Sequence, residues 1–438
     1  MNAPIGLREE AGLRRHQRGL RWSWVWTMVI LLLGCKKEIE GPVDDAYRPP
    51  DGGPNPYVLV SARKVEQVIG DIDFESLLPT RQLTESRFGL AHTDLGASFM
   101  HKGKLWFLFG DSDPEAPGWD AFHDDAVAFT TADKVEDFML TFLTNPNSGR
   151  GYLNPHIHCP DEGGRDCVDL GALNVPVAGI SDGNSMFIWF TTGGAEYSLL
   201  ARSDDDGRTY TKVYDFGNTH FIDMAAALYP DSIPGLPALS AGDQWVLIFG
   251  SGDHAHHHVY LAAAPLHSLQ VGNRTAVRFM SGYKDNGVLS WSAKESDAVP
   301  LFLIEHGQGP GLMSELSHGW GFGEPLIHYN RTMNRWVATY NAARRTIRMR
   351  TAEHPWGPWS QSIVIFDPTV DYGRGPAYGR YIGDDRTPRL GGQGELYGPY
   401  VIEPFTRTDS NGNIQLYWML SPWQPYVVLL MESTLRRR

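Results

Sequence analysis

Two aspartates, Asp94 and Asp111, lie in the stretch His92 to Asp113, which reads HTDLGASFMHKGKLWFLFGDSD. Between them, Lys102-Gly103 is a pair of the kind that closes a tight β-hairpin, flanked by apolar-rich runs at Leu95 to Met100 and Leu105 to Phe109. With these as the two loop residues, His101 pairs with Lys104, every opposed pair sums to 205, and Asp94 faces Asp111. Directly opposed residues share one face of a sheet with Cβ atoms roughly 4.5–5.5 Å apart. Two carboxyls that close do not both ionise cheaply, so one pKa rises and an acid is left beside a base. The structural alternatives are a turn one residue out of register and aspartates that merely cap loops.

Further acids precede other aromatic runs. Glu324 stands 12 residues before Trp336 as Asp94 stands 12 before Trp106, and Asn341 follows Trp336 by five as Asp111 follows Trp106. Asp182, Asp223 and Glu403 lie in GISDGNS, HFIDMAA and YGPYVIEPF. Glu324 and Asp223 are therefore third-acid candidates, and His92, Asp182, His254, Asn341 and Glu403 are candidate substrate contacts. The bland alternative is that such an acid caps a turn or pairs with arginine. Several acids around a cleft rich in aromatics is the composition of carbohydrate chemistry. Cleaving a glycosidic bond needs a protonated carboxyl for the leaving oxygen and an ionised one as nucleophile or base. Trp119, Trp320 and Trp423 offer flat apolar surface to a sugar face. Close opposition of Asp94 and Asp111 favours a retaining course, because inverting enzymes typically hold their carboxyls roughly 6.5–9.5 Å apart.

The run Asp253-His254-Ala255-His256-His257-His258 is the main metal-like motif, the lesser one being Cys159 and Cys167 with His156 and His158 as the only further ligands nearby. On a strand, His254, His256 and His258 share a face, which suits either a metal of unassigned identity or a polar rim that donates to substrate hydroxyls. No other cofactor is called for.

The elements that must bring these residues together recur along the chain. Five aromatic-rich runs, LWFLFGD at Leu105, FIWFTTGG at Phe187, WVLIFGSGD at Trp245, WVATYNAA at Trp336 and LYWMLSPW at Leu416, each read as a strand. Each is followed by a second apolar run: AVAFTT at Ala126, SLLARS at Ser198, VYLAAAP at Val259, IRMRTAE at Ile347 and VVLLMES at Val427. The unequal distances between their tryptophans exclude a tight solenoid and suit blades with variable loops. Five such units, with few stretches of helical periodicity, predict an all-β, five-bladed β-propeller, a β-sandwich being the alternative. Ser203 to Tyr210, SDDDGRTY, resembles the Asp box of sialidase-type propellers, a structural turn.

The N-terminus predicts an address. Five arginines between Arg8 and Arg21, an apolar run from Trp22 to Leu33, and Leu32-Leu33-Gly34-Cys35 resemble a bacterial lipoprotein signal, with Cys35 acylated after cleavage. An uncleaved anchor is the alternative, for which the run is short. Residues 1–34 then form the signal, 35–56 a flexible tether rich in charge, Pro and Gly, and 57–438 the propeller. The expected location is the cell envelope, exported and lipid-anchored at the outer membrane or cell surface. In an oxidising compartment the other two cysteines, Cys159 and Cys167 in CPDEGGRDC, are expected to close a local disulfide. Losing residues 1–34 removes five Arg and two Glu and moves the net charge from −13 to about −16. So acidic a body argues against nucleic acid and is easier to reconcile with a neutral substrate or one with basic groups. The partner expected from the acids and aromatics is a polysaccharide, with the membrane met only through the lipid and the protein a monomer.

Three segments carry a family resemblance: HTDLGASFMHKGKLWFLFGDSD, RTAEHPWGPWS from Arg350, and YGPYVIEPFTRTDSNGNIQLYWMLSPWQPYVVLLMES. Together they resemble the bacterial family catalogued as domain of unknown function 4185, over about His92 to Ser433. That family is similar to five-bladed propeller glycosidases, and some members are endo-acting D-arabinanases that cut arabinofuranose polymers. The resemblance implies a glycoside hydrolase with its acids on the first blade, Asp94 and Asp111 matching the TDLG and FGD positions. The CPDEGGRDC insertion and the histidine run depart from the pattern. A non-catalytic propeller that binds glycan or protein at a surface is the alternative function, and a lyase or metal-dependent hydrolase built on the histidines is a third.

Overall fold

Trp106, Trp189, Trp245, Trp336 and Trp418 each occupy the second strand of a separate sheet, and none is more than 3% exposed. The computed structural model describes residues 47–113, 124–145, 151–160, 174–252, 258–284, 288–303, 326–342, 346–368, 396–422 and 425–438. After β1 (Tyr57–Gln67), the first blade is β2 (His92–His101), β3 (Lys104–Asp113), β4 (Asp124–Thr130) and β5 (Thr141–Phe142). A two-stranded ribbon, β6 (Thr144–Asn145) and β7 (Gly151–Tyr152), and then β8 (Ile157–His158) lead to the second blade: β9 (Pro176–Ser181), β10 (Met186–Thr192), β11 (Tyr197–Ser203) and β12 (Tyr210–Asp215). The third is β13 (Asp223–Tyr229), β14 (Trp245–Ser251), β15 (His258–Pro265), β16 (Arg278–Tyr283) and β17 (Leu289–Ser292), with β18 (Phe302–Leu303) against β15. The fourth is β19 (Leu326–Asn330), β20 (Arg335–Ala342), β21 (Thr346–Ala352) and β22 (Ile363–Phe366). The fifth holds β23 (Leu396–Tyr397), β24 (Arg407–Thr408), β25 (Ile414–Pro422) and β26 (Leu429–Arg437), and its outermost strand is β1.

The five-bladed propeller expected from the tryptophan runs is therefore the observed fold. The runs read as near-continuous apolar stretches because the second strands are covered on both faces by neighbouring blades. Every residue of β10 and β14 is buried, and every residue of β20 but Arg335. Burying one such indole, at about 25 cal/mol per Å² over roughly 200 Å², favours folding by about 5 kcal/mol before entropy is counted.

Closure comes from the chain ends. β1 pairs antiparallel with β26 from Tyr57 opposite Arg437 to Gln67 opposite Leu429, so the last blade takes its outer strand from the start of the fold. At one end of the ring the hairpin turns of neighbouring blades are stitched by polar contacts. Nδ1 of buried His101 meets Oγ of Ser181 at 2.6 Å, and its Nε2 meets Oδ1 of Asp206 at 3.0 Å. The Asp-box resemblance holds as a turn, since the Asp205 carboxylate accepts the Ser203 hydroxyl, the Arg208 and Thr209 N–H groups and the Thr209 hydroxyl. The opposite end, where β2, β9, β13 and β19 begin, is left for the acids.

Candidate active site

Asp94 lies at the start of β2, and the register that places it departs from the predicted one. Opposed pairs sum to 205 from His101 and Lys104 through Ala97 and Leu108. Gly96 is then bulged out, so that Leu95 faces Phe109 and Asp94 faces Gly110, not Asp111. Leu95 and Gly96 carry positive φ angles of 65° and 118°, the left-handed backbone that allows one residue to be skipped. A single skip moves every later side chain to the other face, and a second shift between Asp94 and His92, on the β3 side, restores the pairing of His92 with Asp113. The opposition of Asp94 and Asp111 that favoured a retaining course is thus absent from the ladder.

The two carboxyls nevertheless act on each other. Burial first, and then the charge of Asp111, hold the Asp94 carboxyl well above the usual carboxylate range. Two phenols work in the opposite sense: the hydroxyls of Tyr426 and Tyr397 donate to Oδ2 of Asp94 at 2.6 and 2.8 Å. Oδ1 is buried and accepts no hydrogen bond among the described residues. With Oδ2 occupied by two donors, the proton of a neutral Asp94 belongs on Oδ1. The backbone here is tied to the fifth blade, the Leu95 N–H donating to Oγ of Ser421 at 2.9 Å while Ser421 pairs with Tyr397.

Asp111 sits on a second bulge, with φ at 42°. Against β4 the pairing runs Phe109 to Ala126 and then Ser112 to Asp124, so Gly110 and Asp111 together oppose Asp125. Gly110 is required by packing: a Cβ there would fall 2.6 Å from Cγ1 of Val175. Asp125 is 1% exposed, its Oδ1 accepts the Asp111 N–H at 3.3 Å, and burial followed by the Asp111 charge raises its pKa well above the ordinary value. Three buried carboxyls, Asp94, Asp111 and Asp125, are therefore gathered on one blade. In such a cluster one anion keeps its neighbours protonated, which supplies an acid and a base together.

The family described as Domain of unknown function (DUF4185) matches residues 80–432, which includes all of these residues. The chain belongs to this family. No curated protein matches it. Among solved structures, a candidate hydrolase from Bacteroides ovatus ATCC 8483 is similar at 13% identity and a TM-score of 0.46, over 80% of this chain and 87% of that one. An exo-β-1,3-galactanase from Phanerochaete chrysosporium gives 11% and 0.44, over 85% of this chain and only 64% of its own length. A β-xylosidase/α-arabinofuranosidase from a compost metagenome gives 13% and 0.37, over 79% and 91%. Likeness at this level assigns no activity.

Within the matched span, several of the expected site residues lie elsewhere. Asp182 caps the β9–β10 turn through the N–H groups of Asn184 and Ser185 and accepts Gln270 Nε2 at 2.8 Å, at the stitched end of the ring. Glu403 binds the Arg331 guanidinium at 2.6 and 3.0 Å, beside the β19–β20 turn at that same end. Both are corrections, for the bland reading of turn cap and arginine partner holds for them. Asp223 begins β13, opposite Ser251, and is fully buried. Asn341, buried on β20 opposite Ile347, leaves its Oδ1 without a hydrogen bond among the described residues. His92 is half-buried, with Nδ1 3.1 Å from the Tyr426 carbonyl, and so stands next to the Tyr426–Asp94 contact.

Glu324, Trp320, Trp119, Trp423, His254, His256, Cys35 and Cys167 lie outside the described residues. Cys159 is disulfide-bonded. His258 opens β15, and among the described residues no group of three or more His, Cys, Asp or Glu is arranged to hold a metal ion. Sequence reasoning missed Asp125, Tyr397 and Tyr426. The signal for Asp125 was an Asp-Asp pair directly before the AVAFTT strand. The two tyrosines stand in the C-terminal segment that carries the family resemblance, one in YGPY and one in QPY.

Proposed function

We propose that this chain is an exported, lipid-anchored glycoside hydrolase that acts as a monomer on a polysaccharide, an arabinofuranose-containing polymer before others, in the manner of an endo-D-arabinanase. The observation that carries the proposal is the state of Asp94: a buried carboxyl beside Asp111, with one oxygen held by two phenols and the other without a donor among the described residues. A protonated acid whose proton sits on an oxygen that no described protein group engages is what protonation of a glycosidic leaving oxygen requires. Asp111 is the carboxylate of the pair and serves as base or nucleophile. Asn341 and His92, set at the same end of the blades, are the contacts for sugar hydroxyls, and Asp223 is the third acid. The family's arabinanase members, the lipobox at Cys35 and the acidic body of the chain support the choice of substrate and address.

Reducing-sugar release from a panel that includes D-arabinan and arabinogalactan tests this, comparing wild type with Asp94→Asn and Asp111→Asn. Release from one polymer that both substitutions abolish, in proteins that stay folded, is the expected result. Full activity in both variants would make the pair structural. Glycan binding without release of reducing ends would identify a surface-binding propeller instead.

A further inference from the structure

Asp125 is a buried carboxyl that the proposed chemistry does not use, and its surroundings define a task for it. Gly110 and Asp111 form a bulge opposite Asp125. A bulge leaves one residue out of the ladder, and a buried N–H without an acceptor costs about 1–3 kcal/mol. Asp125 supplies that acceptor from the facing strand, since its Oδ1 takes the Asp111 N–H at 3.3 Å. Asp125 is itself held from behind: its N–H donates to Oδ1 of Asn154 at 3.1 Å, and Nδ2 of Asn154 donates to Oδ1 of Asp124 at 2.7 Å. The hydroxyl of buried Tyr152 closes the set on Oδ2 of Asp124 at 3.3 Å. The chain of contacts thus runs from the ribbon after β5, through β4, to the one residue of β3 with a left-handed backbone.

We propose that Asp125 is the positioning residue for Asp111: its carboxyl, carried on a backbone anchored through Asn154 and Asp124, fixes the bulge that carries the Asp111 side chain and so sets the spacing between Asp111 and Asp94. This inference rests on the glycosidase proposal for its consequence in catalysis, but not for its structural content. The acceptor is what matters, so an amide at position 125 reproduces the function and a methyl group does not. When the acceptor is lost, the bulge relaxes, Asp111 moves away from Asp94, and the mutual influence of the two carboxyls weakens.

The experiment uses the full chain with Asp125→Asn and Asp125→Ala. The first readout is a carboxyl-carbon NMR titration of Asp94, which needs no substrate. Asp125→Ala is expected to bring the Asp94 midpoint down toward the ordinary carboxylate range, while Asp125→Asn leaves Asp94 clearly elevated. The second is hydrolysis on the polymer that wild type cleaves: Asp125→Ala loses about 10- to 100-fold in kcat with KM within about twofold, and Asp125→Asn stays within about threefold of wild type. An Asp94 midpoint that stays put in Asp125→Ala, whatever happens to thermal stability, overturns the proposal. So does an Asp125→Asn variant that behaves like Asp125→Ala. If wild type cleaves no polymer, the glycosidase reading fails, and the titration still decides whether Asp125 positions the pair.

Discussion

Tyr426 donates its hydroxyl to Oδ2 of Asp94 across 332 residues of sequence, at 2.6 Å, and both groups are buried. The contact joins the fifth blade to the first and bears directly on the acid. A phenol that donates to a carboxylate favours the charged form, so it limits how far burial and Asp111 raise Asp94. In Tyr426→Phe, Asp94 loses one of its two phenol donors and its pKa rises further. With Asp94 as general acid, the alkaline limb of the pH–rate profile then moves upward, by about one unit if the lost bond is of ordinary charge-assisted strength. A limb that stays fixed or moves downward would remove Asp94 from the acid role.

Asp94 also costs the fold stability, in a pH window that follows from the sign of its shift. Its folded pKa is raised, so its favourable contribution is complete below the ordinary carboxylate value and is lost as pH rises through the raised one. Asp94→Asn carries no charge at any pH, and its amide oxygen still accepts the two phenols. The variant is expected to be inactive and yet more thermostable than wild type by about 0.5–2 kcal/mol near neutral pH, with the advantage shrinking as pH falls toward 4. Thermal unfolding from pH 4 to 8 measures this, and an equal or lower midpoint at neutral pH would contradict it.

On β19, His328 predicts the opposite pH dependence. Both of its ring nitrogens are buried without hydrogen bonds among the described residues, and burial pushes its pKa down to about 4. A depressed folded pKa gives stability that is present above about 6.5, the unfolded value, and is lost as pH falls through the folded one. His328 should therefore contribute a loss of stability between pH 6.5 and 4, opposed in that window by the gain from the raised carboxyls Asp94 and Asp125, before turn carboxylates such as Asp182 and Asp205, whose pKa values lie below the ordinary range, begin to titrate. His328→Gln flattens this part of the curve. An unchanged slope in the variant would assign the acid sensitivity to other groups.

What the sequence disclosed divides along the strand ladders. The blade count was legible because each second strand is buried on both faces, which forces an aromatic-rich run around Trp106, Trp189, Trp245, Trp336 and Trp418. Residues fixed by contacts across blades were not legible. Asp94 meets tyrosines more than 300 residues away, and nothing local to Asp182 or Glu403 says whether the turn they serve lies at the open or the stitched end of the ring. The Asp94–Asp111 relationship falls between these cases, because period-2 alternation predicts a register only until a residue is skipped.

Gly96 holds φ at 118°, outside the ordinary range of L-residues, and a Cβ placed there would sit 3.1 Å from Cγ of Met419 on β25. Gly96→Ala therefore meets both backbone strain and a crowded neighbour. Met419 is flexible and gives way partly, so a destabilisation of about 1–3 kcal/mol is expected, dominated by the backbone. If the strand instead relieves the strain by straightening, Leu95 and Asp94 shift by one pairing, and Asp94 turns away from Tyr397 and Tyr426. Activity then falls more steeply than stability, and Asp94 loses its elevated pKa. Carboxyl-carbon NMR of the variant separates the two results. An elevated Asp94 in a less stable protein means that the bulge survives under strain, whereas an ordinary Asp94 means that Gly96 is what keeps the acid in place. A variant as stable and as active as wild type would show that the bulge does not depend on glycine.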